Sequence, residues 1–274
     1  MRTARYKLTE ETINVNGITL YRIEALRDFA NVKKGDKGGF VENENNLSQK
    51  DNCWVYGNAK VYDDAVVYGN AEVFGDAVVC GHAKVCGNAI VYGRAKVCEN
   101  AKVRNEAKVH NDVVVCGNAE VCDNAQVYGN AEVSGNAVVS DSAVVCGDAE
   151  VFDNATIYDN AIIYGNAEVG SNARIYGNAF VYDNAEVCGN AKVHDDARVY
   201  GNAVVFDYAE IYGNAQVYDK AEVCDNAEIY GNAEIYGNAR VYCNTVVCDN
   251  AEICGYSKLF GNAVIRDNTK VCDD

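Results

Sequence analysis

A six-residue phrase, on average Val-Tyr-Gly-Asn-Ala-Glu, repeats from Val55 to Lys270 without one insertion or deletion. The stretch divides into 36 hexads. Position one is always Val, Ile or Leu, and position five is Ala in 32 hexads, with Val113, Thr245, Ser257 and Thr269 as exceptions. Position three is Gly or Asp in 31 and position four is Asn in 24. Starting from each Ala, the side chains alternate: Ala inward, the next residue outward, Val inward, then Tyr or Cys outward. That is a short strand of period two. The Gly-Asn or Asp-Asn that follows tolerates the left-handed backbone of a corner. A helix is excluded, because six does not match 3.6 and a Gly or Asp in almost every hexad erodes helix propensity.

Such a short strand cannot bury itself, but stacked coils can, because each strand then pairs with those above and below. Three hexads per turn predict an all-β, parallel β-solenoid of triangular 18-residue coils, with about 12 coils in residues 55–274. At about 4.8 Å between paired strands this is a rod of roughly 58 Å with a core of Val and Ala columns.

Residues 1–54 differ. Thr12–Ile23 alternates on either side of Asn16-Gly17, a hairpin signal of the type I′ kind. Glu24–Phe29 reads as a helical turn burying Ala25, Leu26 and Phe29, and Gly35, Gly38 and Gly39 read as turn markers. Because a solenoid end exposes core and strand edges, 1–54 is expected to be its N-terminal cap.

Charge and composition exclude several functions. The net charge is −16, placed as +1 on residues 1–54 and −17 on the remainder. Such an acidic surface repels phosphate backbones and anionic lipid, so neither nucleic acid nor membrane is an expected partner. No run of 18 apolar residues occurs, and the N-terminus has no apolar signal core. A cytoplasmic location with thirteen reduced cysteines is the expectation.

The hexads resemble the [LIV]-x-x-x-[STAV]-x repeat of left-handed parallel β-helices. The left hand is an implication of that resemblance. Residues 28–59 sharpen it: Asp28-Phe29, Val32-Lys33, Gly38-Gly39, Asn46-Leu47-Ser48-Gln49 and Cys53-Trp54 are similar to the N-terminal signature of bacterial YdcK-like hexapeptide-repeat proteins. That family is usually labelled a transferase by analogy with hexapeptide acyltransferases. The resemblance carries over no catalytic residue and no cofactor.

Hexapeptide acyltransferases typically use a His beside a loop extruded from a coil. Here no hexad is interrupted, and the three His fall on the repeat grid: His82 at a corner, His110 and His194 on outer faces. His110, with Lys108 and Asp112 beside it, is the one weak candidate for a catalytic base. Eleven of the 13 Cys occupy position two. Parallel side chains on a flat face do not converge on a tetrahedral metal, and in-register Cβ vectors suit disulfides poorly, so neither metal nor disulfide is expected there. The changes at position two are mostly single-base codon steps, as duplication and drift of an 18-base unit would leave.

One face is less uniform. Taking every third hexad, nine of its 12 position-two residues are aromatic, and Tyr164, Tyr182, Tyr200, Tyr218 and Tyr236 run consecutively, with Phe180 beside them. Such a ladder reinforces stacked strands, and its outer edge offers a strip for self-association, another protein or a glycan. The second face carries most of the Cys column and the third reads as mixed. The expected function is a non-catalytic structural or binding scaffold, homo-oligomeric by lateral packing. The alternatives are an acyltransferase-like enzyme and an acidic decoy for a basic partner.

Overall fold

The computed structural model describes residues 4–273 and is all-β, apart from one 3-10 turn at Glu44–Asn46. Among the described residues no helix is long and apolar enough to cross a membrane. Packing divides the chain between Gly135 and Asn136 into two units. Each is a parallel β-solenoid of 18-residue coils with three sheets.

The first unit opens with the expected hairpin. Strand β1 (Tyr6–Val15) runs antiparallel to β2 (Ile18–Ala25) across Asn16-Gly17, whose φ values of 52° and 88° are both left-handed. Strand β3 (Lys37–Val41) then pairs antiparallel with β2 and parallel with Lys60–Val61, converting a hairpin into a stack. Leu47 bridges to Val67, a step of 20 residues, and Trp54–Val55 pairs with Glu72–Val73, so stacking begins before the first regular hexad and takes the 18-residue step where the hexads start.

The motif residues of this region form a clamp. Gln49 Oε1 accepts from the backbone N–H groups of Arg5 (2.8 Å) and Tyr6 (3.3 Å), and Tyr6 Oη donates to the Leu47 carbonyl at 2.7 Å. Asn46 Nδ2 donates to the carbonyls of Asp63 and Ala65, both at 2.9 Å. Trp54, 1% exposed, meets Tyr6 and Phe29 edge-on at 6.1 and 5.4 Å.

Two local expectations are corrected here. Glu24–Phe29 is not helical: Ala25 ends β2, its N–H donates to the Asp36 carbonyl, and Leu26 N–H donates to the Arg5 carbonyl. Ala25 is buried, but Leu26 is exposed and Phe29 is half-buried against Trp54. Gly38 and Gly39 lie inside β3 rather than in a turn. A Cβ on Gly38 would come within 2.5 Å of Ile23 Cγ1 and of the Val55 carbonyl, so their smallness permits close approach. Gly35, with φ 92°, does occupy a turn.

In both units the hexads behave alike. Where a further coil follows, a hexad typically donates three backbone hydrogen bonds to it; for Ile211–Gln216 these are Tyr212 to Ile229, Asn214 to Gly231 and Gln216 to Ala233, at 2.7–2.9 Å. Inward Val, Ile and Ala side chains are fully buried over almost the whole stack. Thr245 and Ser257 replace Ala without an orphaned hydroxyl, because each Oγ donates at 2.8 Å to the carbonyl three residues back.

The corners explain the alternation of Gly and Asp at position three. Both adopt left-handed φ, as at Asp195 (57°) and Gly201 (72°). At several of the Asp corners the carboxylate also accepts the N–H eighteen residues on: Asp159 from Gly177 at 3.1 Å and Asp195 from Gly213 at 3.2 Å. Asn at position four stacks amide on amide, in the run Asn214, Asn232, Asn250 and Asn268 at 3.0–3.2 Å.

Candidate functional site

The predicted tyrosine ladder lies on one face of the second unit. Tyr164, Tyr182, Tyr200, Tyr218 and Tyr236 stack at 4.8–5.1 Å between centroids, with planes within 6° of parallel. The spacing follows from the strand separation, since in-register side chains inherit it. Each ring is half-buried. Tyr182, Tyr200 and Tyr218 have a neighbour on both ring faces, so no face is left on which a sugar could stack. What points outward is a row of ring edges and hydroxyls. The hydroxyls are engaged too: Tyr200 donates to Gln216 Oε1 at 3.2 Å, Tyr218 to Glu234 Oε2 at 3.0 Å and Tyr236 to Glu252 Oε2 at 3.2 Å. Burial, with Tyr200 and Tyr164 adjacent, pushes the Tyr182 phenol up to about 12. Burial and the bond to Glu234 push Tyr218 up as well. Phe180 sits beside the ladder, half-buried, with the Arg198 guanidinium 5.7 Å from its ring centroid.

A second ladder stands on another face of the same unit, and the sequence reading missed it. Tyr158, Tyr176, His194, Tyr212 and Tyr230 stack at 4.6–5.1 Å. The signal was present at 18-residue spacing, but only if an imidazole is counted as one more flat ring. His194 Nε2 lies 3.1 Å from Glu210 Oε1 and Nδ1 3.3 Å from Asp195 Oδ1, with the side chain 14% exposed.

His110 has the same kind of place in the first unit. It stacks between Tyr92 and Tyr128 at 4.5 and 5.2 Å, and Nδ1 lies 3.2 Å from Asn111 Oδ1. Asp112, the carboxylate proposed to orient it, instead pairs with Arg94 at 2.6 Å. A surface groove of about 290 Å³ is lined by Asn88, Ile90, Glu106, Lys108, Asn124 and Gln126, without His110. The structure therefore places this imidazole within a stack of rings, outside that groove.

The thiols depart from expectation at one point. Cys254 and Cys272, in register on neighbouring strands with Cα atoms 4.6 Å apart, are joined as a disulfide. Parallel Cβ vectors do not prevent bridging here, because in-register Cα atoms already lie within the roughly 4.4–6.8 Å that disulfides span. Cys80, Cys98 and Cys116 are free and consecutive on one face of the first unit. Among the described residues no three His, Cys, Asp or Glu side chains converge as a metal centre.

Comparison with curated proteins returns no match. A family model described as the YdcK β-solenoid repeat matches residues 131–147, 173–189 and 233–249. The three matches begin at Ala131, Ala173 and Ala233, each at position five, and each of these Ala residues leads into a strand of a different sheet. The family pattern thus recognises one coil's worth of hexads whichever face it starts from, as expected of near-equivalent faces. The chain is thus a β-solenoid in which the YdcK β-solenoid repeat is matched at three places.

Proposed function

We propose that this protein is a non-catalytic scaffold that associates laterally with a second copy of itself through the Tyr164–Tyr236 face. The observation that carries this reading is the uniformity of the coils. From Val55 to Lys270 every hexad keeps its length, and His110, His194 and the ladder tyrosines are stacked between neighbouring coils. A general base needs a cavity and a free approach to substrate. His110 is stacked between two rings and lies outside the groove nearby, which speaks against the acyltransferase alternative.

The choice of partner rests on pitch. A partner engaging every rung of a ladder must repeat every 4.8–5.1 Å along the same direction, and a second copy of the chain does. Ile162 and Phe180 widen the apolar strip at one end, and phenol edges supply area with few rotors to freeze. The charge of −16 on each chain opposes the contact, so salt strengthens it. The non-catalytic part is tested by calorimetry with acetyl-CoA. No saturable heat is expected; micromolar binding that disappears in His110→Ala would overturn it.

A further inference from the structure

The three consecutive thiols on the second face of the first unit have no part in the scaffold reading. The strands Val78–Val79, Lys96–Val97 and Val114–Val115 pair in parallel and in register, so Cys80, Cys98 and Cys116 follow one another up the face. The backbone holds them there: Cys80 N–H donates to the Val97 carbonyl at 3.0 Å and Cys98 N–H to the Val115 carbonyl at 2.9 Å. Cys80 and Cys98 are each 8% exposed, and Cys116 is half-buried.

We propose that Cys80 and Cys98 form a two-coordinate site for a soft univalent cation, such as Cu(I) or Ag(I). The argument is geometric. A tetrahedral ion needs ligands converging from several directions, which a flat face cannot supply. A linear bis-thiolate needs two sulfurs on opposite sides of the ion. Two metal–thiolate bonds of about 2.3 Å placed end to end span about 4.6 Å, and in-register strands in a sheet lie about 4.8 Å apart. Elsewhere in this chain the in-register cysteines Cys254 and Cys272 have their Cα atoms 4.6 Å apart. The step of the solenoid is therefore the length of an S–metal–S unit.

The surroundings favour the charge state such an ion needs. The Lys96 ammonium and the Tyr62 hydroxyl lie beside the pair. Binding breaks the two S–H bonds, forms two S–metal bonds and releases both thiol protons to solvent. The product, two thiolates and one univalent cation, carries one negative charge, which Lys96 offsets. Thiolate softness selects Cu(I) or Ag(I) over hard divalent ions.

The test uses the full reduced chain carrying Cys254→Ser and Cys272→Ser, so that the bridged pair is silent. Without oxygen, Cu(I) is titrated against a chromogenic Cu(I) chelator. One equivalent should bind, X-ray absorption should show two sulfurs and no nitrogen or oxygen neighbours, and alkylation mass spectrometry should find Cys80 and Cys98 protected by the ion while Cys188 is not. Cys98→Ser should weaken binding by more than the roughly 10–100-fold that outer-shell partners carry, and Cys188→Ser should leave it unchanged. The alkylation readout needs no further variant, so misfolding of Cys98→Ser would not obscure the result. Equal affinity in folded Cys98→Ser, a site of three or more ligands, unprotected Cys80 and Cys98, or recovery of the two as a disulfide from the loaded protein would each overturn the proposal.

Discussion

Residues 4–55 and the hexads that follow solve the same problem with opposite means. The N-terminal segment closes a stack with individual parts: a buried Trp54, an Arg5 only 1% exposed, and two glycines pressed against backbone. Arg5 Nη2 donates to the Ser48 carbonyl at 2.6 Å, and its guanidinium lies 4.4 Å from the Phe29 ring centroid. The hexads use small interchangeable parts, Val, Ile and Ala, whose fit depends on register rather than shape. Uniqueness is therefore concentrated at the start of the first unit, and redundancy in the coils. A coil needs only the rule of its neighbours, whereas the segment that ends a stack must also satisfy edges that have no neighbour.

The comparison can be broken by mutation. Trp54→Ala should cost about 3–5 kcal/mol, the range for emptying a large aromatic site, while Ile211→Val in the second unit should cost about 0.5–1.5 kcal/mol, since Val is the usual residue at that position. Denaturant melts followed by circular dichroism measure both, and equal losses would erase the distinction. Next in size is Gly39→Ala. The new Cβ would lie 2.5 Å from the Ala59 carbonyl, so an overpacking loss of about 1–3 kcal/mol is expected.

Alkaline pH should sharpen the contrast from the other side. The Tyr176 and Tyr182 phenols are both pushed up to about 12, chiefly by burial. Between the ordinary phenol value of about 10 and that raised value, the unfolded chain has lost protons that the folded chain keeps, so stability falls as pH rises. It is fully present below about pH 10 and is lost as pH rises through about 12. Tyrosinate absorbance should rise late and together with unfolding of the second unit. Early titration of Tyr182 in a chain that stays folded would show that the ladder does not bury its phenols.

Much of this was legible in the sequence because a six-residue period with Ala and Val at fixed places admits few structures. The coil length, the inward columns, the Asn16-Gly17 hairpin and the Tyr164–Tyr236 stacking all follow from spacing alone. The failures share a cause. Glu24–Phe29 has local helix character, but its backbone hydrogen bonds go to Arg5 and Asp36, which no local pattern reveals. Gly38 and Gly39 look like turn residues because close approach by another strand leaves no mark in their own neighbourhood. The ladder through His194 was overlooked because residue names hid a shared shape, and Asp112 was assigned to His110 although Arg94, one coil away in space, holds it.

The lateral interface is tested most directly by sedimentation equilibrium of the parent chain beside the triple variant Tyr182→Ser, Tyr200→Ser, Tyr218→Ser, at low and high salt. The parent should be a dimer or trimer, more populated at high salt as repulsion between chains of charge −16 is screened. The variant should be monomeric at both, with an unchanged far-ultraviolet spectrum. A parent that is monomeric at high micromolar concentration in both salts, or a variant that unfolds, would contradict the interface and leave the ladder as reinforcement between coils.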